Sequence, residues 1–143
     1  MAQQLDGTPW DLARIRAHIA AGLPLVGLFG LELVTATPTG SSVRIPHHPN
    51  VLRPGGTVAG PVMFAAADVA TYAIVLAASQ DPAAATVELG LKFLRPAGDL
   101  PLLARAEVLR LGRRLCSVAV RIAPEAAPER LVAHASTTWA LSG

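Results

Sequence analysis

Apolar residues recur at helical spacing from Trp10 through Ile15 and Ile19 to Leu23, behind Thr8-Pro9 and ahead of the break at Gly22. Thr8 suits an N-cap and Pro9 a first helical position, so the pattern predicts a short amphipathic helix packed on the main body. Leu31 to Thr35 and Ser42 to Ile45 flank Pro38-Thr39-Gly40 and read as two strands joined by a tight turn, with Glu32 and Arg44 at solvated positions. A loop follows from His47 to Gly56, rich in Pro and Gly. Val62 to Ser79 then runs without a breaker, Ala-rich and apolar on every face, which predicts an enclosed helix started by Gly60-Pro61. Beyond Asp81-Pro82 lie four strand-like runs: Thr86 to Leu94, Leu102 to Leu111, Leu115 to Ile122 and Leu131 to Trp139. In the first of them strict alternation puts Val87, Leu89, Leu91 and Phe93 on one face, and the enclosed helix is the apolar body available to meet it. The predicted class is α+β, one long helix wrapped by an antiparallel sheet of about five or six strands.

Composition narrows the picture. The chain has 143 residues, 52% apolar and only 15% charged, enough for one domain over residues 1–143 with a large core, and too apolar for a disordered segment. Residues 1–25 form its N-terminal helical extension. A net charge of +2 is too small to steer the chain onto nucleic acid. Of the twelve basic residues only Lys92 is lysine; arginine suits phosphates, although genomic base composition enriches it equally well. Cys116 is the single cysteine, so no intrachain disulfide can form, and a reducing cytoplasm is expected. Met-Ala-Gln-Gln-Leu-Asp carries no basic segment leading into an apolar one, unlike a signal peptide. Val58 to Ala78 is about long enough to span a bilayer, but Asp68 would lie at mid-depth at a cost of about 3 kcal/mol. No membrane association is expected.

The charge deficit is concentrated. From Pro54 to Gln80 the chain has 27 residues and one charged side chain, Asp68. With only Ala and Val around it, this carboxylate has no cation within a turn, and an unpaired buried charge is strongly unfavourable. Two explanations stand side by side: a carboxylate poised in an apolar cleft as nucleophile or general base, or an edge position bonded to a neighbouring strand or an interface arginine. Gly60 offers an amide at the positive end of the helix, or is simply a good helix start. His47-His48 point apart and have no third ligand at metal spacing, so no metal site is expected. Cys116, in an apolar strand, reads as a core residue. No Gly-x-Ser-x-Gly elbow and no phosphate-binding Gly-rich loop is present. Arg110, Arg113 and Arg114 cluster at a strand junction, serving solubility or, together, phosphates.

Several segments resemble one family. Gly-Pro-Val-Met-Phe-Ala-Ala-Ala-Asp68-Val-Ala, Leu-Lys-Phe-Leu-Arg-Pro at Leu91 to Pro96, Leu-Gly-Arg-Arg at Leu111 to Arg114 and Val-Ala-His-Ala-Ser-Thr-Thr at Val132 to Thr138 occur in the order found in hotdog-fold acyl-CoA thioesterases of the PaaI-like type. The resemblance spans roughly Gly30 to Leu141. It implies a hotdog domain in which Asp68 attacks the thioester or activates water, the Gly60 amide polarises the carbonyl and the Thr86 hydroxyl helps to place water. It also implies an acyl-CoA substrate without a further cofactor, and a site shared between subunits of a homodimer or homotetramer. Asn50 and the phosphate-facing Arg113 and Arg114 are the implied substrate contacts. The chain departs from the family at the helix start, where the usual His-Gly-Gly is Ala59-Gly60-Pro61. That departure leaves a second reading, a non-catalytic hotdog protein that binds acyl-CoA or another apolar ligand. A hydratase on the same fold ranks last, because no His accompanies Asp68 on the helix.

Overall fold

A computed structural model describes residues 10–142. Helix α1 spans Leu12–Gly22 and α2 spans Leu25–Leu28. Asp11 caps α1 by accepting from the Arg14 N–H at 2.8 Å, so the helix starts later than Thr8-Pro9 suggests; those two residues lie outside the described ones. Ile15 and Ile19, one turn apart, are buried against the body of the protein. Arg16 Nε donates to the Leu33 carbonyl at 2.8 Å and fixes α1 on the sheet.

Six strands form one antiparallel sheet: β1 (Glu32–Ala36), β2 (Gly40–Ile45), β3 (Ala85–Phe93), β4 (Leu102–Leu111), β5 (Leu115–Pro124) and β6 (Ala133–Ala140), in the order β1-β2-β4-β5-β6-β3. Helix α3 (Gly60–Ser79) lies between β2 and β3 in sequence and packs along the sheet's inner face. It is long and apolar enough to cross a membrane, yet most of it is buried inside the fold. Small side chains such as Ala66, Ala67, Ala70 and Ala73, all fully buried, let the strands approach its backbone closely. The helix ends where Gln80 adopts the left-handed conformation (φ 56°) and its N–H returns to the Leu76 carbonyl.

The helix is not enclosed on every side. Pro61, Phe64, Ala65, Asp68 and Tyr72, spaced three and four apart, form a stripe that the chain's own sheet leaves partly open. The alternation expected for β3 also changes at one point. Thr86 pairs with Trp139 and Glu88 with Thr138, so Val87 is an extra residue in a β-bulge. Directly opposed residues share a face, and so Thr86, Leu89, Leu91 and Phe93 point inward. Val87 is pushed out, at 62% exposure. Arg44, expected to be simply solvated, instead bridges Glu32 on β1 and Glu125 at the end of β5 at 2.6 and 2.7 Å.

Candidate active site

Asp68 stands in the middle of the open stripe of α3, half-buried. Its Oδ1 accepts a hydrogen bond from the Thr86 hydroxyl at 2.9 Å, and among the described residues no cation lies within ion-pair distance of it. Burial raises the Asp68 carboxyl from its ordinary value, and the Thr86 hydrogen bond opposes that rise. The result is an ionisable group more basic than a solvated aspartate, with one donor to orient it.

The reach of Thr86 to Asp68 has a structural cause one layer behind it. Trp139 Nε1 donates to Thr71 Oγ1 at 2.8 Å, and the Thr71 hydroxyl donates to the Asp68 carbonyl at 3.1 Å. Trp139 is the direct cross-strand partner of Thr86. The indole thus locks the β6–β3 pair onto the helical turn that carries Asp68, and the bulge at Val87 turns Thr86 toward it. Tyr72 stacks on Trp139 at 5.1 Å with an interplanar angle of 9°. Of these positioning residues, Thr71 and Trp139 were not among the sequence candidates. Their spacing from Asp68 acquires meaning only once Trp139 is known to pair with Thr86.

Two lobes of a cleft meet at Asp68 and Thr86. The lobe beneath α1, of about 380 Å³, is walled by His18, Ile19, Tyr72, Ala84 and Trp139. The lobe beside α2, of about 510 Å³, is walled by Leu25, Phe29, Pro61, Phe64, Val87 and Leu89. A carboxylate and a hydroxyl between two apolar recesses can orient a water molecule against a carbonyl group lying across them.

Gly60 is the first residue of α3, so its N–H has no acceptor within the helix. Pro61 has no N–H, and the Val62 and Met63 amides turn back to the Ala59 carbonyl. The Gly60 amide is therefore the donor left at the positive end of the helix. A Cβ at this position would sit 3.0 Å from the Phe93 ring, so glycine also lets β3 close over the helix start. Eight residues at the helical rise separate Gly60 from Asp68 by about 12 Å along α3.

The remaining candidates lie elsewhere. Asn50 is exposed in the 3-10 turn Pro49–Val51, its N–H directed to His48 Nδ1. Arg113 and Arg114 are exposed at the β4–β5 turn. Neither Asn50 nor the two arginines line the lobes at Asp68. Cys116 is fully buried, in keeping with a core role. Among the described residues no group of three or more His, Cys, Asp and Glu side chains could hold a metal ion.

The thioesterase superfamily profile matches residues 55–127, which include α3, Asp68, Thr86 and Gly60. The chain belongs to the thioesterase superfamily. An inferred thioesterase from Silicibacter sp. TM1040 shares 31% identity over 93% of this chain and 92% of its own, with a TM-score of 0.81. A thioesterase from Haemophilus influenzae is 18% identical over 87% of this chain and 86% of its own, with a TM-score of 0.77. A single-residue variant of the phenylacetic acid degradation protein PaaI from Thermus thermophilus is 24% identical over 82% of this chain and 98% of its own, at 0.73. No curated protein matches the chain. The long helix on a six-stranded antiparallel sheet is the hotdog fold of these thioesterases.

Proposed function

We propose that this thioesterase-superfamily protein hydrolyses acyl-CoA thioesters, with Asp68 as the group that activates water. The observation that carries the reading is the Asp68–Thr86 pair at the junction of two apolar lobes, its carboxyl raised by burial. A carboxylate raised by burial, with no cation at ion-pair distance among the described residues, suits proton abstraction from water.

In the proposed reaction the Asp68 carboxylate takes a proton from water as the oxygen adds to the thioester carbon. The carbonyl oxygen becomes an oxyanion, which a Gly60 N–H stabilises together with the dipole of α3. Collapse breaks the carbon–sulfur bond, and the departing thiolate of coenzyme A takes the proton back from Asp68. Direct attack by Asp68 would instead give a mixed anhydride that water opens. In a single turnover in isotopically labelled water, label in the Asp68 carboxylate requires an anhydride that water opens at the Asp68 carbonyl carbon, and so identifies that route.

Asp68 and Gly60 of one chain, about 12 Å apart along the helix, cannot both reach one carbonyl group. A second copy with its α3 antiparallel would bring its own Gly60 to the first copy's Asp68, and the reverse. The long edge strand β3 supports such pairing, since it exposes Val87 and Phe93 and has β6 on only one side. A homodimer is the smallest assembly that completes the site, and a homotetramer would repeat it. Cytoplasmic hydrolysis of a soluble CoA ester fits the single buried cysteine.

The absence of His-Gly-Gly at the helix start favours the second reading, a binding protein without turnover. Thiol release from a panel of short, medium and aryl acyl-CoAs decides between them. The proposed function requires turnover by the parent and a loss of at least about a hundredfold in Asp68→Asn. Equal rates in the two proteins would remove Asp68 from the reaction, and ligand-induced stabilisation without turnover would establish the binding protein.

A further inference from the structure

The two lobes at Asp68 differ in how they end. The lobe beside α2 is bordered by residues open to solvent, among them Pro61, Phe64 and Val87. The lobe beneath α1 is backed by buried Ile19, Ala84 and Trp139, with exposed Gly22, Ala85 and Thr86 at its rim. Part of its wall is a polar pair: His18 Nε2 lies 3.0 Å from the Tyr72 hydroxyl, and that hydroxyl donates to the Pro82 carbonyl at 3.0 Å. With its one proton committed to Pro82, the Tyr72 oxygen accepts from His18, so the imidazole carries its proton on Nε2. Trp10 holds the other side of the imidazole edge-on at 5.0 Å. These contacts hold His18 of α1 against Tyr72 of α3 in the wall of the lobe.

A thioester has two unlike arms. The CoA arm is long, charged and hydrated, and needs a way out to solvent. The acyl arm needs only apolar enclosure. Resting on the thioesterase reading above, we propose that the lobe beneath α1 receives the acyl group and that His18, held against Tyr72, sets the longest acyl group the site accepts. A volume of about 380 Å³ lies toward the small end of ligand pockets, roughly 300 to 1,000 Å³, so the lobe has a finite capacity for an acyl group. A chain that reaches the His18–Tyr72 pair must break a hydrogen bond between half-buried groups or stop short of it. Gly22, the last residue of α1, lines the same lobe, and a Cβ there meets nothing within 4 Å. A side chain at this position has space to fill.

The test measures kcat/KM for straight-chain acyl-CoAs from acetyl to palmitoyl in the parent, His18→Ala and Gly22→Leu. The parent should gain up to about fourfold per added methylene while the chain fills the lobe, then fall once it meets the wall. His18→Ala should move the optimum to longer acyl groups and Gly22→Leu to shorter ones. The same optimum in all three proteins, or a shift in one direction for both variants, overturns the proposal. Loss of fold in His18→Ala, seen by melting, leaves the opposite shift in Gly22→Leu as the criterion. Binding of the same acyl-CoAs to Asp68→Asn, read by tryptophan fluorescence from Trp139 in the lobe wall and Trp10 against His18, gives a second measurement that needs no turnover. Absence of hydrolysis by the parent defeats the thioesterase reading alone. A fluorescence response without dependence on acyl length defeats the assignment of the lobe.

Discussion

Replacing Thr86 by Val removes the hydroxyl that donates to Asp68 Oδ1 at 2.9 Å and keeps the shape of the side chain. Burial raises the Asp68 carboxyl and the Thr86 bond lowers it; removing the bond leaves burial unopposed, so the acid limb of the rate profile moves to higher pH. A hydrogen bond to a charged group is worth about 1.5 to 3 kcal/mol, and since Thr86 is exposed the lower value applies. A difference of about 1.4 kcal/mol corresponds to roughly a tenfold smaller ionised fraction of Asp68 on the acid limb. On the alkaline side both proteins carry an ionised Asp68, and their kcat/KM values should converge. The assay is thiol release from one acyl-CoA across the pH range. An acid limb that stays in place or moves to lower pH refutes the reasoning. A loss of equal size at every pH also refutes it, and assigns Thr86 to holding the water itself.

Three further outcomes follow from the same geometry. The native Asp68 carboxyl is raised above the ordinary value of 3.8, so its ionisation costs stability in full above the folded pKa and not at all below the unfolded one. Asp68→Asn should therefore melt higher at neutral pH, with the gain shrinking as pH falls toward 3.8; a gain independent of pH would contradict this. Trp139→Phe keeps the ring against Tyr72 but removes the donor to Thr71. It should cost about 1 to 2 kcal/mol in denaturant unfolding and also lower kcat, because the β6–β3 pair loses its anchor beside Asp68; an unchanged kcat would show that Thr86 is positioned by the strand pairing alone. Val87→Lys alters a side chain exposed in the single chain and should leave its fold intact while shifting sedimentation toward monomer and abolishing turnover. A monomer that retains full activity would exclude a site shared between subunits.

The residues that declared themselves in the sequence are those whose surroundings in the chain are also their surroundings in space. Asp68 stood out because a carboxylate among alanines has no local partner, and in the fold it indeed meets no cation among the described residues. The helix of Val62 to Ser79 and the four later strands were equally legible, since their apolar runs are bounded by Pro and Gly. What remained hidden depends on pairing. The bulge at Val87 follows from the register of β3 against β6, and simple alternation placed Val87 inward where Thr86 in fact points. The link from Trp139 through Thr71 joins residues 68 positions apart, and α1 becomes a wall of the cleft only after it docks over Tyr72. A second subunit was expected to share in covering α3, but which residues form its open stripe was not legible, because an apolar surface reads the same whether the chain's own sheet or a second subunit covers it.

Complementation between two inactive variants tests the central claim most directly. Asp68→Asn removes the carboxylate, and Gly60→Pro removes the amide hydrogen at a helix position whose backbone suits proline, provided the Phe93 ring, 3.0 Å from the new Cβ, turns aside. Mixed as unfolded chains and refolded together, the two should form hybrid dimers in which one site unites the intact Asp68 of one chain with the intact Gly60 of the other. Random pairing makes half the dimers hybrid, each with one of two sites restored, so thioester hydrolysis should return to about a quarter of the parent rate. No recovery above the separate variants, once hybrid dimers are shown to form, would contradict a thioesterase site built from Asp68 of one subunit and Gly60 of the other.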